Sequence, residues 1–432
     1  MVFLDQKILS NSPSWQVLFI ILMAVLVRVI LFFMFDFSDN LHGGDSGYYL
    51  ETGRNIMVYG VHGEKEIATF IRAPMYSFFA GIVANISETA LFFYIVQSVL
   101  FICFSVILYL LLYRYGKRIA FISALLIAML PFDALLNGRV LSENLVTPFI
   151  VLATLLFVYN KNSKATFFVS GMLLGAAALS RDIYLLLPFF FLVAGIFAKI
   201  KLRYLGIFLL GATLLIAPWM YRNSQLPSAG IFLSKGIFWP NLWVGTWMGI
   251  GDGNWYMTPN YLPPAAIQTF NNGKSPDILL EAWNNRYTSD GVFFKKTVIE
   301  HVTNHPLEVI GTMIARHPGL WVGTRSDLMH TYFAKGTPFW YVLKGSFYLL
   351  NAMIILFALP GIILVLRSKE LPIMLCVPVL YTAMIYFPFY NGETRYSQPV
   401  IPILIIFSVY FILWSVEKIK LWSKPKDRIH SP

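Results

Sequence analysis

The chain has 432 residues, of which 57% are hydrophobic, 16% aromatic and only 13% charged. Because soluble proteins carry about a quarter charged residues, this composition indicates an integral membrane protein. The formal net charge is +11, but the basic residues lie in short runs between apolar segments, as in cytoplasmic loops, which argues against nucleic acid as a partner. Cys103 and Cys376 lie inside apolar segments, so the sequence offers neither a disulfide framework nor a paired-cysteine metal site.

Ten apolar segments separated by polar residues predict about ten membrane-spanning helices. The first, Trp15 to Phe35, has about 21 residues, enough to cross a hydrocarbon core of about 30 Å, and we interpret it as a span rather than a cleavable signal peptide. The shortest segments, of about 14–16 residues, would cross only a thinned bilayer. The predicted spans cover residues 15–35, 90–112, 119–132, 144–159, 166–180, 183–198, 204–220, 339–366, 371–389 and 398–416.

The orientation follows from the basic residues, which collect in alternate connections and in the C-terminal tail. These connections include Arg114 to Arg118 and Lys199 to Arg203, and the positive-inside rule makes their side cytoplasmic. The alternation is consistent only if Pro74 to Ile86 does not cross, so we predict a juxtamembrane helix there. Two long segments, 36–89 and about 221–338, then face the non-cytoplasmic side, and loops of such length are usually functional.

Several charged and polar residues lie at the outward ends of these predicted spans. Ionisable groups at membrane depth are costly, so their convergence from sequence-distant elements favours a shared polar cavity. The residues concerned are Asp45, Arg72, Glu143, Arg181, Asp182, Arg222, Asn223, Arg395 and Tyr396.

This combination of residues suggests recognition of an anionic lipid headgroup beside a carboxylate. Arginine presents a planar fork of donors that matches phosphate. A carboxylate can accept the proton of an acceptor hydroxyl as that hydroxyl attacks a sugar carbon. The leaving group of such a reaction is already a phosphate, which needs neutralisation of its charge more than protonation. A divalent metal is therefore not required.

Each residue also has a simpler interpretation. Asp45 could cap a short helix after a Gly-Gly turn, and Glu143 could be an interface carboxylate stabilised by a helix dipole. The outward arginines could extend to lipid headgroups. Arg28, a few residues past the centre of the first span, is best explained by an interhelical hydrogen bond. His42 and His62 could bind a metal ion with Asp45, although lone surface histidines usually do not.

Six short motifs resemble those of the GT-C superfamily of membrane glycosyltransferases. The similarity is greatest to the branch of lipid A aminoarabinose transferases, protein O-mannosyltransferases and bacterial lipopolysaccharide sugar transferases. It covers residues 10–225 well and the C-terminal third loosely. Pro-Trp-x-x-Arg-Asn is the most specific motif. The motifs are Gly44-Asp45-Ser46-Gly47-Tyr48-Tyr49, Arg72-Ala73-Pro74-Met75-Tyr76, Leu141-Ser142-Glu143-Asn144-Leu145, Ala178-Leu179-Ser180-Arg181, Pro218-Trp219-Met220-Tyr221-Arg222-Asn223 and Arg395-Tyr396-x-x-Pro399.

The resemblance implies an all-α polytopic transmembrane fold with a seven-helix module, outward loops with short helices and about three C-terminal helices. It implies that Asp45 is the catalytic carboxylate and that Glu143 orients Arg181 or the sugar hydroxyls. Ser46 stands where many relatives have a second acid, and no large lumenal insertion is evident, which disfavours a protein acceptor. Donor and substrate contacts would come from Tyr49, Arg72, Tyr76, Arg181, Arg222, Arg395 and Tyr396.

Together with these residues, the resemblance implies an inverting glycosyltransferase, hexosyl or pentosyl, that uses a polyprenyl-phosphate sugar donor and a glycolipid or cell-envelope polysaccharide acceptor. It also implies a plasma (inner) membrane, with the active site facing the periplasm or exterior. A polysaccharide polymerase or ligase would share the large outward loop. A secondary transporter would use the same charges for coupling ions, but it predicts charges nearer the membrane centre and related halves. We predict a catalytic module over residues 1–225, an outward soluble segment over 226–338, and C-terminal helices with a basic cytoplasmic tail over 339–432.

Overall fold

The structure is a computed structural model. It describes residues 14–35, 37, 44–64, 67–68, 71–159, 162–226, 233–234, 238–247, 292–323, 337–368, 371–389 and 394–422. Gly43 and His42, and much of the predicted soluble segment (248–291), lie outside the described residues.

The described part of the chain is almost entirely helical, as the sequence predicted. A single antiparallel ladder pairs β1 (Gly63–Glu64) with β2 (Ile67–Ala68) in the first long loop. The helices of the N-terminal part are α1 Ser14–Met34, α2 Gly44–Tyr59, α3 Met75–Ile86, α4 Ala90–Leu112, α5 Lys117–Ala128, α6 Pro131–Asn137, α7 Glu143–Tyr159, α8 Lys164–Ser180, α9 Leu187–Phe197 and α10 Leu202–Ser224.

Six further helices form the rest of the described chain. They are α11 Phe238–Trp247, α12 Val292–Asn304, α13 Pro306–Trp321, α14 Pro338–Ser368, α15 Cys376–Phe389 and α16 Ile401–Trp422. Short 3₁₀ helices flank several of these α-helices. One follows α4 (Tyr113–Tyr115), and others precede α9 (Asp182–Tyr184), α15 (Ile373–Leu375) and α16 (Thr394–Val400). Helices α14 and α16 pack against each other, and α16 also packs on α5, so the C-terminal helices are joined to the N-terminal module.

All ten predicted spans coincide with helices. Among the described residues, five helices are long and apolar enough to cross a membrane, or six if the bent pair α5–α6 counts as one span. The remaining four predicted spans correspond to helices α7, α8, α9 and α15, which have 17, 17, 11 and 14 residues. The fold is therefore all-α and polytopic, as predicted, and the number of ten crossings stays a prediction.

The predicted span 119–132 is not one straight helix. The chain bends by 47° between α5 and α6. Pro131 begins α6, and the residue before it, Leu130, is extended with ψ 117°. A proline disfavours helical backbone at the preceding residue and has no N–H to donate, which explains why the helix breaks here.

Several pairs of helices approach closely at glycines, and two of these pairs lie in the N-terminal part. In α8, Gly171 and Gly175 form a Gly-x-x-x-Gly pattern that packs on Phe208 and Ala212 of α10, where an added Cβ would meet backbone atoms. Small residues allow such approach between helices in membranes. In the first loop, a Cβ on Gly53 would lie 2.6 Å from the backbone N of Gly81, so α2 and α3 behave as one paired unit.

Candidate active site

Asp45 lies in the first turn of α2, and two arginines hold its carboxylate. Arg72 Nη2 donates to Asp45 Oδ1 at 2.6 Å, and Arg395 Nη2 donates to Asp45 Oδ2 at 3.2 Å. Arg72 precedes α3, which packs on α2, whereas Arg395 begins the connection to α16. The Asp45 side chain keeps 30% of its surface exposed. Arg72 and Arg395 therefore cover part of the Asp45 carboxylate, and the exposed part is accessible to a small group.

Glu143 is the first residue of α7 and is buried, with 2% of its side chain exposed. Arg181, which follows α8, donates to Glu143 Oε1, and the neighbouring Ser142 Oγ donates to Oε2 at 3.3 Å. Arg395 Nε lies 3.9 Å from the same Oε1 atom. Arg395 therefore faces both carboxylates, and residues 350 positions apart in the chain meet in one cluster.

The charges of this cluster do not cancel. Its three guanidinium groups, Arg72, Arg181 and Arg395, outnumber its two carboxylates, which leaves a net charge of +1. Burial alone would raise the pKa of Asp45, but the three nearby arginines outweigh burial and lower its pKa to about 2. Asp45 is therefore ionised in this arrangement. The excess positive charge suits an anionic ligand.

Aromatic rings surround the arginines. The Arg181 guanidinium lies 4.5 Å from the ring centre of Tyr396, which stacks on Tyr386 with centres 5.0 Å apart. The Arg72 guanidinium lies 5.4 Å from Tyr48 and 5.6 Å from Tyr49. Cation–π contacts of this length hold guanidinium groups in place without consuming their hydrogen-bond donors. The aromatic contacts thereby help to orient the arginines.

Two predicted substrate-binding tyrosines lie behind the charged cluster. Tyr76 is fully buried, its ring meets that of Tyr49 edge-on at 4.9 Å, and its hydroxyl donates to Gln97 Oε1 at 2.7 Å. Tyr49 is 4% exposed. The structure therefore gives both tyrosines supporting contacts, and their contact with a substrate stays a prediction.

Arg222 is the predicted site arginine that the structure does not place in the ion-pair cluster. Its Nη2 donates to the carbonyl of His62 at 3.2 Å, its Nη1 donates to Asn223 Oδ1 at 2.8 Å, and its guanidinium lies 4.5 Å from the Trp219 ring. These contacts tie the end of α10 to the loop after α2. The expected donor-phosphate role of Arg222 stays a prediction.

Sequence reasoning did not single out Gln97 or Tyr386, both of which contact predicted site residues. Gln97 lies inside the apolar helix α4, and a polar residue at that depth is a signal that could have identified it. Tyr386 offered no such signal, because tyrosines are common in these spans. Within the part of the chain that the structure describes, no group of three or more His, Cys, Asp or Glu side chains is arranged to hold a metal ion.

Part of the chain matches the sequence model of a known protein family. Residues 71–221 match the sequence model of a family described as dolichyl-phosphate-mannose-protein mannosyltransferase. That range contains Arg72, Glu143 and Arg181 but neither Asp45 nor Arg395. A search of curated proteins found no significant match.

The fold is similar to that of a solved structure with a TM-score above 0.5. The oligosaccharyltransferase of Archaeoglobus fulgidus, crystallised with a tethered acceptor peptide, matches with a TM-score of 0.53 at 15% identity, over 95% of this chain and 51% of that one. The chain thus spans about half the length of that protein. ArnT from Cupriavidus metallidurans, bound to undecaprenyl phosphate, matches at a TM-score of 0.41 and 15% identity, over 94% and 80% of the two chains. The family match and the oligosaccharyltransferase fold together confirm the resemblance to the GT-C superfamily of membrane glycosyltransferases.

Proposed function

We propose that this chain is an inverting glycosyltransferase. It transfers a sugar from a polyprenyl-phosphate carrier to a glycolipid or cell-envelope polysaccharide acceptor at the non-cytoplasmic membrane face. The observation that carries this proposal is the accessible Asp45 carboxylate held between Arg72 and Arg395 in a cluster of net positive charge. The matched mannosyltransferase family supports the donor class, because its description names a dolichyl-phosphate sugar, which is a polyprenyl-phosphate donor.

In the proposed reaction the acceptor hydroxyl oxygen attacks the anomeric carbon of the donor sugar. The bond from that carbon to the phosphate oxygen breaks, and its electron pair stays on the departing polyprenyl phosphate. The hydroxyl proton passes to a carboxylate oxygen of Asp45. A single displacement inverts the anomeric configuration. The arginines neutralise the phosphate, whose charge grows as it departs.

The ion pairs that Asp45 makes set its strength as a base. A carboxylate whose pKa is about 2 is a weak proton acceptor. A donor phosphate competes with Asp45 for the guanidinium groups of Arg72 and Arg395, since both anions are ligands for the same donors. When these arginines turn to the phosphate, the pKa of Asp45 rises. Donor binding thus makes Asp45 a better base at the step that needs one.

Glu143 takes a different part in this proposal. It is buried at a helix start and is bonded to Arg181, so it cannot readily meet an acceptor. It holds Arg181, and through its proximity also Arg395, at the edge of the cluster. The three arginines supply positive charge to the leaving phosphate, so we propose that transfer needs no divalent metal. Addition of a chelator such as EDTA then leaves the transfer rate unchanged.

The experiment that tests the function compares envelope glycolipids by intact mass. Cells without the gene are supplied with either the wild-type chain or an empty vector. We expect a glycolipid or polysaccharide fragment whose mass is larger by one sugar only with the wild-type chain, and the increment distinguishes a hexose from a pentose or another class of sugar. Identical masses in both cell lines, in cells shown to contain the protein in their membranes, would contradict the proposal.

A further inference from the structure

The turn that precedes Glu143 is fastened by a side chain from another helix. Residues 138–142 connect α6 to α7 and lie directly before the buried carboxylate. Gln97 of α4 is 2% exposed, and its Nε2 donates to the carbonyl of Asn137 at 2.9 Å and to that of Arg139 at 3.1 Å. Both amide donors of Gln97 are thus used on backbone atoms of this turn.

The third bond of Gln97 leads to the other half of the site. Gln97 Oε1 accepts a hydrogen bond from the Tyr76 hydroxyl at 2.7 Å. Carbonyls only accept, so the amide nitrogen must face the turn and the amide oxygen must face Tyr76. Tyr76 lies in the first turn of α3, just after Arg72, and its ring packs on Tyr49 of α2. One amide therefore joins the Asp45–Arg72 half of the site to the Glu143 half.

A second set of hydrogen bonds, made by two asparagines, also holds this turn. Asn144 Nδ2 donates to the carbonyls of Leu136, Arg139 and Leu141 at 3.0, 3.0 and 3.1 Å. Asn137 Nδ2 in turn donates to Asn144 Oδ1 at 2.9 Å. The turn is thus fixed by the asparagines that flank it and by Gln97 of α4, and Gln97 and Asn144 share the Arg139 carbonyl.

Arg28 anchors this arrangement to the first span. Its Nε donates to Asn137 Oδ1 at 3.1 Å, and its Nη1 donates to the carbonyl of Ala128 at 3.0 Å, beside the break between α5 and α6. A broken helix leaves carbonyls without their usual partners, and at membrane depth these must be satisfied by protein groups. The interhelical hydrogen bond expected for Arg28 is therefore present. It joins the first span to Ala128 at the bend and to Asn137, which directly precedes the turn.

We propose that Gln97 is a positioning residue for the transfer reaction. It sets the place of the Glu143–Arg181 pair relative to Asp45 and Arg72. This inference rests on the proposed function, because it assigns Gln97 to that reaction. A displacement of about 1 Å in a reacting arrangement can cost about a hundredfold in rate, so a group that touches no substrate can still control turnover.

The test is the substitution Gln97→Met, which keeps the length of the side chain and removes all three of its hydrogen bonds. The matched control is Ser105→Ala on the same helix, since the Ser105 hydroxyl donates only within α4, to the carbonyl of Phe101 at 2.9 Å. The rate is the initial appearance of the glycolipid mass increment after induction, normalised to membrane protein. We expect about a tenfold to hundredfold decrease for Gln97→Met and wild-type behaviour for Ser105→Ala.

Two further readouts separate positioning from general damage. Affinity of the purified chain for undecaprenyl phosphate in detergent micelles should stay within about threefold of wild type, because the arginines of the cluster remain. Hydrogen exchange over residues 138–145 should quicken in Gln97→Met only, since its bonds close that turn. An unchanged rate, unchanged exchange in the turn, or joint loss of affinity and thermal stability would each overturn the positioning role.

Tyr76→Phe provides a second variant if Gln97→Met does not fold. It removes one of the three bonds and keeps the ring, so we expect a smaller decrease of about threefold to tenfold. Where Gln97→Met does fold, the double variant should be no slower than Gln97→Met alone, because both changes act through one contact. Full additivity would contradict the inference. Absence of the mass increment in the wild type would instead contradict the proposed function, while hydrogen exchange would still decide whether Gln97 orders the turn.

Discussion

Asp45 lies on a helix of the first long loop and keeps 30% of its side chain exposed, whereas Glu143 begins a helix of the bundle and keeps 2%. The arginines of Asp45 come from the segment before α3 and from the 3₁₀ helix before α16, and they hold it at 2.6 and 3.2 Å. Arg181 binds Glu143 from the end of α8, in a region with little solvent. The Asp45 region is thus partly open, and the Glu143 region is closed.

This difference separates two tasks that a pair of acids can perform. A carboxylate that accepts a proton must be reachable and must exchange its arginine partners for a ligand. A carboxylate that holds an arginine is most effective where water is excluded, because the interaction of two charges strengthens as the local dielectric falls. We therefore expect substitutions in the Glu143 region to act on stability first and those in the Asp45 region to act on turnover.

The largest effect is expected from Arg181→Met, which leaves Glu143 buried without its nearest cation. Removing one partner of a buried ion pair costs about 3–5 kcal/mol of unfolding free energy, and Arg395 at 3.9 Å offsets part of it. The measurement is thermal unfolding in detergent. The control is Arg54→Met, whose ion pair with Glu88 is exposed and contributes about 0–1 kcal/mol. Equal effects of both changes would remove the distinction between the two regions.

Asp45→Asn should abolish most turnover while the protein remains folded. The amide keeps the shape and the hydrogen-bonding atoms but cannot accept the acceptor proton, so we expect a decrease of about a hundredfold or more. The readout is the rate of the glycolipid mass increment, with thermal unfolding measured in parallel. Glu88→Gln, the same change at an exposed acid near the end of the first loop, should match wild type. Near wild-type transfer by Asp45→Asn would reduce Asp45 to a structural role.

Arg72→Lys should weaken use of the donor with little loss of stability. An ammonium keeps the charge but cannot reproduce the directional fork that a guanidinium offers to phosphate. We expect a loss of about 1–3 kcal/mol, about the contribution of a charge-assisted hydrogen bond. The measurement is a titration of purified protein with undecaprenyl phosphate in detergent. Wild-type affinity in the variant would show that Arg72 acts only as a long cation.

The smallest effect is expected from Arg222→Lys. Arg222 contacts the carbonyl of His62 and the ring of Trp219 rather than the two carboxylates. We therefore expect undecaprenyl phosphate affinity to change by less than about threefold, with thermal unfolding shifted by about 1 kcal/mol for the lost contacts. A loss of affinity as large as that of Arg72→Lys would support the donor-phosphate role that the motifs predict for Arg222.

The sequence by itself determined the membrane character, the positions of the helices and the five charged members of the cluster. Apolar segments read directly as helices because burial in lipid demands a continuous run of apolar side chains. Asp45, Arg72, Glu143, Arg181 and Arg395 could be singled out because charges at the ends of such runs are costly and therefore conspicuous.

Only the tertiary structure decided which of these groups meet. Arg395 reaches Asp45 across 350 positions, and Arg222 turns to the His62 carbonyl, because the packing of distant helices places each donor beside a particular acceptor. The partners of Gln97 could not be predicted from the sequence for the same reason. They come from α3, from the last residue of α6 and from the turn after it. Hydropathy is a local property of the chain, whereas hydrogen-bond partners are set by close approach between segments far apart in sequence.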